Sequence, residues 1–161
     1  MACQNGHVDV ARMLIEKDAD VGQADKNDGA TPLFMACQTG HVDVARLLIE
    51  KDADVGQAKN DGATPLFMAC QNGHSDLFVL LIEKGANIET PMHGNGWTPL
   101  FVAAWAGNDG VVGALLSAGA NPTAETTADH LGVPAGSTPL SVARDKGHAE
   151  IAHLLEARSR A

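Results

Sequence analysis

The sequence predicts an all-α repeat solenoid, a stack of paired helices joined by short hairpin turns, and three observations carry that prediction. A 24-residue stretch occurs twice: residues 1–24 and 35–58 diverge only at Asn5 against Thr39 and Met13 against Leu47. Thr-Pro-Leu recurs at Thr31, Thr64, Thr98 and Thr138, at intervals of 33, 34 and 40 residues. Each copy passes from a short apolar segment through a glycine or lysine-glycine into a second apolar segment of helical spacing. A period of this size marks a supersecondary unit that buries its apolar face only against its neighbours.

The first helix of a unit starts at Thr-Pro-Leu. The Thr31 hydroxyl can accept from the free amides of the first turn, and Pro32 suits the first helical position, where the amide has no intrahelical partner. The helix then runs through Leu33 to Thr39 and stops at Gly40, the residue type that best tolerates a left-handed cap. In the second helix Val44, Leu47 and Leu48 fall at helical spacing, with Asp43 near the positive end of the dipole and Lys51 near the negative end. Ala36 and Cys37 are small enough for neighbouring helices to approach closely. Helices this short are marginal alone, so stacking must stabilise them. Between units, residues 54–63 are rich in Gly, Asn and Asp, as a tight turn requires.

The spacing divides one domain, 1–161, into a truncated first repeat (1–26), two full repeats (27–59 and 60–93), a fourth with an insertion (94–134) and a C-terminal repeat (135–161). The insertion is Ala124 to Ala135, within what should be a short hairpin loop, and long connections are disproportionately functional or flexible. The first repeat begins in the middle of a first helix and reads as part of a longer array. It leaves Val8, Ala11, Met13 and Leu14 with an unfinished neighbour, so self-association through this end is an expectation.

Composition narrows the partners. Eleven Lys and Arg against 20 Asp and Glu give a formal charge of -9, which opposes a nucleic-acid backbone and an anionic membrane alike. The apolar runs are far too short to span a bilayer. Three cysteines, an odd number, and the absence of a basic region followed by an apolar stretch at Met1-Ala2-Cys3-Gln4 favour a reducing compartment, hence the cytoplasm.

TPLF-x-A, GH-x-D, LLIEK and the ADV ending, recurring in register, resemble the ankyrin repeat across essentially the whole chain. The resemblance implies an elongated, curved stack whose hairpin tips and inner helices form a concave protein-binding surface. The chain departs from the family pattern in three places. Phe34, Phe67, Phe101 and Ser141 stand where the family has His, so that histidine's hydrogen bond is lost. Asp18 and Asp52 stand where it has a glycine that Gly85 and Gly119 restore, and aspartate fits a left-handed site less comfortably. Gly22 and Gly56 stand where it commonly has Asn, which removes the usual turn contacts.

No group of residues reads as catalytic. Cys3, Cys37 and Cys70 share one repeat position and should lie roughly 8 to 10 Å apart, beyond disulfide reach. The same spacing separates His7, His41, His74 and His148 beyond any shared metal, which leaves both sets as framework residues. The sequence holds no nucleophile elbow and no phosphate-binding glycine loop, so neither a cofactor nor a metal is expected. The tryptophans carry more weight. Trp97 precedes Thr-Pro in the hairpin and Trp105 lies at the end of the inner helix, where other repeats hold Ala, Gln or Thr. Either they pack on one another, Met92 and Phe101, or, flanked by Met92, His93 and Asn95, they anchor a partner, the use for which tryptophan is enriched at interfaces.

The expected function is therefore non-catalytic recognition of another protein through Gln38, Thr39, Asn60, Asp61, Gln71, Asn72, Asn95, Trp97 and Trp105. The acidic surface favours a basic or mixed-charge partner. The alternative is a purely structural or engineered repeat scaffold, which the near-identity of the first two copies also fits.

Overall fold

The computed structural model describes residues 1–159, so the last two residues of the expected C-terminal repeat lie outside it. The described chain forms helices α1 (Val8–Glu16), α2 (Pro32–Thr39), α3 (Val42–Glu50), α4 (Pro65–Asn72), α5 (Ser75–Glu83), α6 (Pro99–Ala106), α7 (Asp109–Ser117), α8 (Pro139–Asp145) and α9 (Ala149–Ser159). Four successive pairs, α2–α3 to α8–α9, stack side by side, and α1 adds an unpaired outer helix at the start. No strand forms among the described residues, only an isolated bridge between His130 and Val133.

The inner helices begin as the caps dictate. The hydroxyls of Thr31, Thr64 and Thr98 accept from the amides of Phe34, Phe67 and Phe101 at 3.1 to 3.2 Å. In the last repeat Ser141 completes a reciprocal box, its Oγ accepting from the Thr138 amide at 2.9 Å while Thr138 Oγ1 accepts from the Ser141 amide at 3.1 Å. The first three inner helices end at Gly40, Gly73 and Gly107, which sit at φ of +84°, +72° and +82°. Leu33, Ala36, Cys37, Val44 and Leu48 and their counterparts in the next two repeats are buried in one continuous core.

The first repeat differs from its near-duplicate. Residues 1–7 hold turns and no helix, with bonds from the Asn5 amide to the Met1 carbonyl and from the His7 amide to the Ala2 carbonyl, both 3.1 Å. A single turn fixes more torsions than its bonds repay. Val10, Met13 and Leu14 are consequently 43%, 57% and 50% exposed, although the equivalent Val44, Leu47 and Leu48 are buried.

At the turn after the second helix, Asp18 and Asp52 occupy the left-handed region at φ of +61° and +64°. The turn that follows keeps its side-chain support despite Gly22 and Gly56. Asp20 and Asp54 accept from the amides two residues on, at 2.9 and 2.8 Å, as Asn87 does from the Glu89 amide at 2.9 Å. The position that carries the turn lies two residues earlier than the one the sequence comparison singled out.

Consecutive hairpin tips are tied by one backbone bond each. The Asn60 amide donates to Asp28, the His93 amide to Asp61 and the Thr127 amide to Asn95, at 2.9, 2.7 and 2.9 Å. The hairpin bases close at Asp25–Ala30, Lys59–Ala63, Met92–Trp97 and Thr126–Ser137. The insertion therefore lies wholly between Thr126 and Ser137, and it leaves the stacking register intact.

Candidate protein-interaction surface

The ends of the inner helices and the hairpin tips expose one position per repeat that the framework does not use. Gln38 is exposed at the end of α2, and Gln71, its equivalent on α4, is half-buried. Thr39 is exposed, its hydroxyl donating to the Met35 carbonyl at 2.8 Å. Asn72 is exposed and bridges repeats, its amide donating to the Gln38 carbonyl at 3.0 Å. On the hairpins, Asn60 is exposed with its amide 3.3 Å from the Asn27 carbonyl. Half-buried Asp61 accepts from the Ala63 amide at 3.0 Å and lies 3.5 Å from the Lys59 ammonium.

The fourth repeat corrects the expected set. Trp97 is 2% exposed and Asn95 is 4% exposed, so neither presents its side chain to a partner in this conformation. Asn95 instead fixes the hairpin, its Oδ1 accepting from the Trp97 amide at 3.0 Å and its Nδ2 lying 3.9 Å from Met92 Sδ. Trp97 is enclosed by Phe101, Trp105 and His130, with ring centroids at 5.0, 5.6 and 5.2 Å, the histidine edge-on at 85°. The tryptophans thus pack on one another and on Phe101, with Trp97 the buried member and Trp105 the half-buried one.

His130 and Lys146 join this cluster without having been expected there. The signal for His130 was its place in the insertion, since Thr127 is the residue that bonds to the hairpin of Trp97. The Lys146 ammonium lies 5.2 Å from the Trp105 ring centroid, the partner of a cation–π contact. Lys146 occupies the repeat position of Thr39, in the repeat that follows Trp105. The Nε1 atoms of Trp97 and Trp105 are both buried and have no hydrogen-bond partner among the described residues.

His41, His74, His148 and the cysteines act as framework. His41 Nε2 donates to the Gln4 carbonyl at 3.0 Å, and His148 Nε2 to the Trp105 carbonyl at 3.3 Å. Asn108 takes the histidine position in the fourth repeat and donates to the carbonyls of Cys70 and Gln71, both at 2.8 Å. His74 packs its ring on Gly40, where an added Cβ would lie 2.8 Å from it. All three thiols are free; burial pushes the Cys37 thiol up to about 12, raises Cys70 by the same cause, and raises half-buried Cys3. Such thiols are poor nucleophiles. Among the described residues no three His, Cys, Asp or Glu side chains converge as a metal site.

At the other end, an open cleft of about 1090 Å³ lies between the first two repeats, lined by Met1, Cys3, Leu14, Ile15 and Met35 among others. The cleft follows from the unpaired position of α1.

Fold and surface together define a helical repeat protein whose buried positions recur and whose exposed tips vary. The family model for ankyrin repeats (3 copies) matches residues 1–59 and again 52–126, and the chain belongs to the ankyrin-repeat family. Repeats of this family generally bind other proteins and are typically non-enzymatic. No curated protein matches the chain. No helix of the described residues is long and apolar enough to cross a membrane.

Proposed function

We propose that the chain is a non-catalytic recognition module that binds a partner protein along its concave row of inner-helix ends and hairpin tips, inside the cell. The observation that carries this reading is the contrast between constant and variable positions. Ala36, Ala69, Ala103 and Ala143 are fully buried at one repeat position, whereas two residues on the same row runs Gln38, Gln71, Trp105, Asp145 and varies in chemistry. A surface that serves only stacking has no need of that variation. Gln38, Thr39, Gln71 and Trp105 are the direct contacts in this reading. Asn60, Asp61 and Asn72 share contact with the bridging they already perform, and Asn95 and Trp97 support Trp105 from beneath. The test is to replace Gln38, Gln71 and Trp105 by Ala together and measure affinity for a purified partner by calorimetry. A large loss with unchanged circular dichroism is expected, and unchanged affinity would refute the assignment.

A second reading concerns the first repeat. The exposed Val10, Met13 and Leu14 and the adjoining cleft support association with a second copy of the chain. Light scattering across concentration should show mass rising for the native chain and not for Met13→Lys/Leu14→Lys. A monomer at every concentration removes this reading.

A further inference from the structure

Two lysines in this chain stand over aromatic rings, and they differ in one respect. Lys59 lies 5.6 Å from the Phe34 centroid and is neutralised by Asp28 at 3.3 Å and Asp61 at 3.5 Å. Lys146 lies over Trp105 and makes no ion pair among the described residues. The ring beneath it is a better cation partner than phenylalanine and holds the ammonium in place. An acid supplied from outside would complete at Lys146 what Asp28 and Asp61 complete at Lys59.

The charge distribution points the same way. Residues 1–134 carry seven Lys and Arg against 17 Asp and Glu, while residues 135–161 carry four against three, so Lys146 belongs to the only part of the sequence with a net positive balance. The insertion adds an apolar element: Leu131 is 64% exposed at the tip of a two-residue turn, at φ of +49° beside Gly132 at +78°. A leucine held in the left-handed region is uncommon, and such strain persists where the surroundings require it. The adjacent His130 is the residue packed against Trp97.

We infer that the Trp97–Trp105 cluster, with Lys146 and the Leu131 tip at its rim, receives a partner segment that carries an acidic side chain next to an apolar one. The carboxylate pairs with Lys146 where it stands over the Trp105 ring, and the apolar neighbour rests on Leu131. The inference rests on the protein-recognition reading above and adds the chemistry of the partner. It gives a partner of mixed charge a direction along the stack, with its basic part over the acidic early repeats.

The test is selection of a random peptide library displayed on phage, run in parallel on the native chain and on Lys146→Glu, with folding of each variant checked by circular dichroism. Sequences with Asp or Glu beside Leu, Ile or Phe should enrich on the native chain alone. A synthetic enriched peptide, amidated at its C-terminus, should alter the emission of Trp97 and Trp105, the only tryptophans in a chain without tyrosine. Lys146→Glu should weaken it on the order of tenfold or more, Lys146→Arg should retain binding, and Trp105→Phe, which gives Lys146 a poorer cation platform, should weaken it by a smaller factor. No enrichment, enrichment without acidic residues, or equal affinity for Lys146→Glu overturns the inference. Loss of binding on amidation also overturns it, because the carboxylate would then be a chain terminus. Peptides indifferent to Lys146→Glu but lost with Gln38→Ala/Gln71→Ala would leave the recognition reading standing and remove this one alone.

Discussion

Burial decides what the individual reactive side chains can do. The Cys37 thiol, raised to about 12, stays protonated in the folded chain at pH values where an unfolded thiol, at 9.0, ionises. Its contribution to stability is therefore complete below pH 9 and is lost as the pH rises toward 12, by roughly 1.4 kcal/mol per unit. Denaturant midpoints measured from neutral to strongly alkaline pH should fall across that window, and Cys37→Ala should flatten the fall. At neutral pH a maleimide should label half-buried Cys3 and spare Cys37 and Cys70 until the chain unfolds. Trp97 is the opposite case, a large side chain whose loss empties space. Trp97→Ala should cost about 3 to 5 kcal/mol in equilibrium unfolding, and half-buried Trp105→Ala clearly less.

Helices and turns set the next scale, and here the sequence was most legible. Threonine caps, Pro at the first position and glycine stops follow from local chemistry, and the structure places all of them where that chemistry requires. Thr64→Ala should cost about 1 kcal/mol, read from thermal unfolding, because the Phe67 amide then loses its buried acceptor. Asp52 sits in the left-handed region with no hydrogen bond to its side chain among the described residues, so Asp52→Gly should stabilise by about 0.5 to 1 kcal/mol. An unchanged or lower melting temperature would show that the aspartate holds the turn in another way. Burial within the fourth hairpin was not legible. Trp97 lies at a position that small residues fill in the second and third repeats, and part of its cover is His130, from a segment 33 residues away. That contact is long-range, and its geometry depends on how six extra residues between Thr126 and Ser137 fold back. The same reason hid Lys146, which reaches Trp105 only because consecutive repeats stack in register.

For the molecule as a whole, stacking joins strong and weak ends. The repeat period alone predicted the linear architecture, since each unit needs its neighbours. It did not predict that residues 1–7 would form turns, because the same residue types are helical in the next copy. Hydrogen exchange should accordingly be fastest in α1 and slowest in α4 to α6, with intermediate protection toward α9. Uniform protection along the chain would contradict the graded stack.

The side chains of His41, Asn108 and His148 each reach back to a carbonyl of the preceding repeat, at 3.0, 2.8 and 3.3 Å. Each bond crosses a junction between units that lie in series, so a tensile load applied at the two termini passes through every junction in turn. Under slow pulling the chain should lengthen in discrete steps as units detach, each releasing roughly 110 Å of contour for a 33-residue repeat. The junction that Asn108 bridges twice should be among the last to part. A row of small polar bonds that serves alignment at rest thereby becomes the order in which the molecule yields to force.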